Sequence, residues 1–122
     1  MASHTERTLN FLRRKGYDAG IVERFIHQAR RRIDLFGFID IIAIGDGKIW
    51  GVQSCGKGFA EHDNKIRNTP KIAAIAQRWL AKPSGALMLI GWRKIKKKRG
   101  GKAFSYEPRV KIYTLEDFGG DE

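Results

Sequence analysis

Between Asp34 and Gly58 the chain reads DLFGFIDIIAIGDGKIWGVQSCGKG, and a few polar residues in this stretch have the spacing to do chemistry. Asp40 stands inside an apolar run that reads as a strand, where a carboxylate is costly unless it has a partner. Strand alternation sends Asp40, Ile42 and Ile44 to one face and Ile39, Ile41 and Ala43 to the other. On the second run Ile49, Gly51, Gln53 and Cys55 share a face, and Lys57 is next in phase. Gly45-Asp46-Gly47 between the runs is a strong hairpin signal, so an antiparallel hairpin gathers Asp40, Gln53, Cys55 and Lys57 in one patch. The thiol is not the centre of that patch. With a reference pKa of about 8.5 it is mostly neutral, and no partner marks it as a nucleophile. One cysteine with scattered histidines also lacks zinc-ligand spacing. The carboxylate is the centre.

The elements that must position these residues follow from pattern. Ser3 and Glu6 form an S-x-x-E capping box, Leu9 and Leu12 give an apolar edge, and Gly16 stops a helix running from about Ser3 to Lys15. Tyr17 to Ile26 reads as a strand with imperfect alternation, and His27 to Ile33 as a basic connector. After the hairpin, the polar segment Glu61 to Arg67 is either a separate turn of helix or an extension of the next one. Thr69 is a good N-cap and Pro70 a good first residue for that next helix. There Ile72, Ile75, Ala76, Trp79 and Leu80 fall on one face. Pro83-Ser84-Gly85 ends it, and Ala86 to Trp92 reads as a central strand buried on both faces. A basic loop from Arg93 to Pro108, a last strand from Arg109 to Thr114 and a partly disordered tail, LEDFGGDE, complete the chain. The order predicts an α/β fold with a mixed sheet and helices packed on it.

At 122 residues the chain is one domain, expected over residues 1–118 with a flexible tail at 119–122. MASHTERTLN has no apolar core and reads as no signal peptide, and FIDIIAI and ALMLIGW are too short to span a bilayer. A single cysteine fits a reducing compartment, so a cytoplasmic setting is expected. The net charge of +11 favours a polyanionic partner, nucleic acid above all. The cations cluster at Arg13, Arg14 and Lys15, at Arg30, Arg31 and Arg32, and at Arg93, Lys94, Lys96, Lys97, Lys98, Arg99 and Lys102. The densest cluster lacks the apolar stripe of an interfacial helix, which argues against a membrane surface. No RNA-recognition motif is visible.

This order, with Glu6 in TERTLNFLRRKGYDA, Asp40 in GFIDIIAI and Gln53-Ser54-Cys55 after them, resembles the PD-(D/E)XK nuclease superfamily, most closely the archaeal-type Holliday junction resolvases and related phage proteins. The resemblance runs from Glu6 to about Leu115 and implies a restriction-endonuclease-like α-β-β-β-α-β-β core. Glu6 falls at the helix glutamate position and Asp40 at the strand aspartate, while Gln53-x-Cys55 stands where Glu-x-Lys is expected. The implied activity is structure-selective hydrolysis of DNA by a homodimer using Mg2+ or Mn2+, with Glu6, Asp40, Gln53 and the Ser54 carbonyl as metal ligands. The missing lysine would be replaced by Lys57 or Lys65, and the basic clusters would hold phosphates. Trp92, Phe104 and Tyr106 are candidates to stack on an unpaired base.

Each residue also has a plainer role open to it. For Glu6 it is the capping box alone, for Asp40 a pairing with an arginine, and for Gln53 that of a satisfied buried amide. Cys55 reads as a small core residue, His62 as a surface histidine, and Lys57 and Lys65 as solvated or phosphate-contacting charges. Glu23 is a second acidic candidate, and Asp34 could assist from the start of its strand or cap a turn. The alternative function is a non-catalytic DNA-binding module on a degenerate nuclease fold.

Overall fold

The capping box forms as the sequence predicts. In the computed structural model, which describes residues 3–97 and 99–119, the Ser3 hydroxyl accepts from the Glu6 N–H and Glu6 accepts from the Ser3 N–H, each at 3.1 Å. The helix that follows, α1 (His4–Arg14), buries Thr8 and Leu12. The expected strand over Tyr17–Ile26 is instead two pieces, β1 (Asp18–Ile21) and β2 (Arg24–Ile26). The break comes where the Val22 and Glu23 N–H groups turn to the Asp40 carbonyl. The basic connector contains β3 (Arg31–Ile33), which closes a small antiparallel hairpin with β2.

The central hairpin consists of β4 (Ile41–Gly45) and β5 (Lys48–Cys55). Asp46 and Gly47 both have positive φ, as a two-residue turn of the mirror-image type requires. Two helices follow, α2 (Phe59–Asn68) and α3 (Pro70–Leu80), so the polar segment is a separate helix. Thr69 precedes Pro70 as expected, though its side chain makes no capping bond.

The last two strands, β6 (Gly85–Lys96) and β7 (Phe104–Ile112), correct the expectation of a basic loop over Arg93–Pro108. Both strands run on through the charges and pair from Met88↔Ile112 to Lys96↔Phe104. The like charges tolerate this because the residues involved are exposed. In the tail, Leu115–Phe118 forms a short 3-10 helix with Phe118 packed on the core, while Gly120–Glu122, within the expected flexible tail, lie outside the described residues.

The main sheet has the order β1-β4-β5-β6-β7 and is mixed, with β5 and β6 parallel and the other neighbours antiparallel. On one face α1 covers Ile41, Ala43, Trp50, Val52 and Ile90. On the other, α2 and α3 bring Phe59, Ile66, Ile72 and Ala76 against Ile39, Cys55, Leu87 and Leu89. Ile39 therefore sits on the face opposite Ile41 and Ala43, contrary to simple alternation. The regular strand starts only at Ile41; before it a tight turn, with Phe36 and Gly37 at positive φ and a Leu35↔Ile39 bridge, folds the chain back. No described helix is long and apolar enough to cross a membrane.

Candidate metal centre

Three acids meet where β4 begins. One carboxylate oxygen each from Glu23, Asp34 and Asp40 lies within 4.8 Å of the others. The ladders explain the meeting. Pairing of Ile21 with Ile41 puts Val22 and Glu23 beside Asp40, whose carbonyl accepts from Val22 N–H at 2.9 Å. Arg24 pairs with Ile33, so the next step of that ladder sets Glu23 opposite Asp34. The turn from Asp34 to Ile39 then returns the chain to Asp40.

Asp40 itself is buried, at 4% exposure. Its N–H donates to the Val52 carbonyl at 2.8 Å, and its Oδ2 accepts from the Ser54 N–H at 2.8 Å. Gln53, equally buried, donates through Nε2 to Asp40 at 3.2 Å and to Asp34 at 3.3 Å. Gln53 Oε1 is buried without a hydrogen-bond partner among the described residues. Burial, then hydrogen bonding with Asp34, pushes the Asp40 carboxyl up to about 8, against the Ser54 N–H that favours its charged form. The negative charges of Asp34 and Glu23 add to the rise. The amide N–H groups of Gln53 thus stand among acids whose mutual repulsion a cation would relieve.

The acids open onto a cavity of about 350 Å³, also lined by Ser3, His4, Thr5, Arg32, Ser54 and His62. Arg32 bridges to Glu23 at 3.2 Å. His62 Nδ1 lies 2.8 Å from the Gly58 carbonyl, which can only accept, so the proton is on Nδ1 and Nε2 is the basic nitrogen of the neutral ring.

The residues expected at the site are distributed as follows. Asp40, Gln53 and Ser54 line the cavity. Glu6 is exposed and engaged in the capping box, outside the acid trio and the cavity wall. Cys55 is a core residue beside Phe59 and Gly91, and burial first, then Asp40, pushes its thiol up to about 11. Lys57 and Lys65 are exposed and off the cavity wall. Arg13 and Arg14 end α1, and Arg30, Arg31 and Arg32 belong to the β2–β3 hairpin. Arg93, Lys94 and Lys96 lie on β6, with exposed Lys97 and Arg99 beyond it, and Lys98 lies outside the described residues. Trp92 is buried and donates to Thr8 Oγ1 at 2.8 Å, so it offers no stacking face. Glu23 and Asp34, the second-choice acids in the sequence, are the ones brought to Asp40. Arg32 and His62 reach the same wall, where the sequence alone points to a phosphate contact for the first and a surface residue for the second. No family model, no curated protein and no solved structure matches the chain.

Proposed function

We propose that this protein is a metal-dependent DNA endonuclease of the PD-(D/E)XK type that cuts branched or distorted DNA as a homodimer. The observation that carries the reading is the convergence of Glu23, Asp34 and Asp40 around the buried Gln53, in a chain of net charge +11. On this reading β1, β4, β5, β6 and β7 correspond to the strands of a restriction-endonuclease-like core and the β2–β3 hairpin is an insertion.

The residues present fit a hard divalent cation. Carboxylate oxygens and an amide oxygen are the donors that Mg2+ and Mn2+ take, and Gln53 Oε1 is a buried acceptor still without a partner among the described residues. Glu23, Asp34 and Asp40 would hold the ion, and Gln53, whose Nε2 faces Asp34 and Asp40, would offer Oε1 once its amide turns over. When bound, it would polarise the scissile phosphate and neutralise the charge that develops on it. The other roles fall to the chain's own side chains. His62, on the cavity wall with Nε2 as its basic nitrogen, would take a proton from the attacking water. Arg32 brings to the cavity the positive charge that a lysine at position 55 would have supplied. The cations of β2–β3 and β6–β7 hold flanking phosphates, which makes binding strongly salt-dependent.

One observation favours the second reading, a DNA-binding module without catalysis: Cys55 is buried in the core, and among the described residues no lysine lines the cavity. Labelled four-way junction, flap, single-stranded and linear duplex DNA, each incubated with Mg2+, Mn2+ or EDTA, separates the two. Cleavage that needs metal and disappears in Asp40→Asn is the expected result. Tight binding with no cutting under either metal would leave only the binding module.

A further inference from the structure

The strand β6 outruns its neighbour. It pairs with β5 only from Gly85 to Gly91, whereas its pairing with β7 continues to Lys96↔Phe104. Residues 92–96 and 104–108 therefore form a two-stranded ribbon that extends beyond the end of β5, the end at which Gln53 and Ser54 lie. Alternation sorts its side chains. Trp92, Lys94 and Lys96 point to the α1 side, opposite Pro108, Tyr106 and Phe104 respectively. Arg93 takes the other side with its partner Glu107, at 3.7 Å. Glu107 is the one acid between Trp92 and Pro108, so the α1-side face of the ribbon carries cations and aromatic rings and no carboxylate.

The rings and cations on that face are interleaved. The Lys94 ammonium lies 4.3 Å from the centre of the Phe104 ring, and the Arg7 guanidinium 3.5 Å from that of Tyr106. Tyr106 is half-buried against the core, but Phe104 is 41% exposed. Arg7 belongs to the first turns of α1, whose N-cap Ser3 and first residues His4 and Thr5 form part of the acid-lined cavity. Arg7 thus links the cavity end of α1 to Tyr106, which pairs across the ribbon with Lys94.

We infer that this face of the ribbon is a stacking platform for an unpaired stretch of DNA running from the acidic cavity. Phe104 would take a base on its exposed ring, and Lys94, Lys96 and Arg7 the neighbouring phosphates. The charge is complementary, and the ring decides the strandedness: a duplex hides its base faces, while an unpaired strand offers one at every nucleotide. The inference deepens the endonuclease reading by naming the strand feature the substrate presents, and it is tested without cutting.

The experiment is fluorescence anisotropy in EDTA with a labelled 20-nucleotide single strand, its blunt duplex and a forked duplex. Wild type is compared with Phe104→Leu, which removes the ring and keeps the position apolar, and with Phe104→Trp. Phe104→Leu should bind the single strand and the fork about 10-fold more weakly, the loss of one stacked base, and the blunt duplex within about 2-fold of wild type. Phe104→Trp should bind like wild type, and its extra indole emission should be quenched by the single strand but not by the duplex. Equal loss on all three DNAs, or no loss on any, would overturn the platform, as would a Phe104→Trp signal that the single strand leaves unchanged. A protein that passes this test yet cuts nothing would refute the nuclease reading alone.

Discussion

Replacing Asp40 by asparagine should abolish cutting and at the same time make the metal-free protein more stable, by an amount that grows with pH. In the folded chain burial first, then the hydrogen bond with Asp34, pushes the carboxyl up to about 8 from an ordinary 3.8. Below the ordinary value it is protonated in both states and contributes no difference. As pH rises from there the unfolded chain releases the proton and the folded chain does not, so stability is lost progressively until the folded pKa is passed. A raised carboxylate therefore favours folding at acid pH and penalises it at pH 8 and above. The shift is about four pKa units at 1.36 kcal/mol each, a ceiling of about 5–6 kcal/mol. Water entering the cavity and adjustment of Asp34 and Glu23 bring the expected effect to about 2–3 kcal/mol. Asparagine keeps the shape, can still accept from the Ser54 N–H, and has no proton to lose.

The assay is urea or thermal unfolding of both proteins in EDTA between pH 4 and pH 8.5. Charges elsewhere cancel in the difference between them. Asp40→Asn should match wild type near pH 4 and exceed it at pH 8.5 by roughly 10 °C in Tm, given about 4 °C per kcal/mol for a chain of this size. Adding 10 mM Mg2+ at pH 8.5 should then raise wild type only, by about 1.4 kcal/mol if the ion binds with a Kd near 1 mM. A difference that stays flat with pH, or a variant less stable than wild type at pH 8.5, would refute the account of Asp40 as a strained acid awaiting a cation.

Other substitutions separate the site from its frame. His62→Gln and Arg32→Gln should each lower the single-turnover cutting rate at least about 100-fold while leaving the fold intact, read by quenched-flow cleavage beside a thermal melt. Lys57→Gln and Lys65→Gln should change only DNA affinity and its salt slope, with the cutting rate of bound DNA unchanged. Thr8→Val should cost about 1–3 kcal/mol in urea unfolding, because the Thr8 hydroxyl accepts from Trp92 at 2.8 Å and shares a 2.7 Å hydrogen bond with Ser54. A Cβ at position 85 would collide with the Trp79 carbonyl, a backbone atom that cannot step aside, so Gly85→Ala should cost at least about 3 kcal/mol by the same measurement. The buried Cys55 thiol, held up to about 11, should react with a thiol reagent at pH 8 only as fast as the protein opens.

What the sequence made legible was local. The capping box at Ser3 and Glu6, the Asp46-Gly47 turn and the Ile72–Leu80 apolar face each depend on contacts within a few residues, and each formed. The acid trio depends on two separate registers, Ile21 with Ile41 and Arg24 with Ile33, and on a turn with Phe36 at positive φ, which bulky side chains seldom adopt. Nothing short-range fixes those registers, so Glu23 and Asp34 could be named as candidates but not brought together. Glu6 shows the converse: its spacing from Ser3 satisfied two descriptions, helix cap and family glutamate, and the structure has it serving the cap. The ribbon was hidden by charge. Lys-rich sequence reads as loop, yet here the backbone of β6 is templated by β7 along the whole of Met88–Lys96.

Gln53 is where the two functional readings divide, and the charge count bears on it. Glutamine in place of a glutamate removes one negative ligand, which on its own argues for a weaker metal site. The site nevertheless holds three carboxylates, because Glu23 and Asp34 join Asp40 there. A fourth would add repulsion around a carboxyl that burial first, and then its hydrogen bond with Asp34, already holds protonated near neutrality. The neutral amide instead donates to two of the acids, which steadies the cluster when no ion is bound. Gln53→Glu is therefore not a restoration on the nuclease reading. It should lower metal-free stability at pH 8 by more than about 2 kcal/mol and make folding depend on Mg2+. If the module is instead a degenerate nuclease that lost its glutamate, the same substitution should switch cutting on.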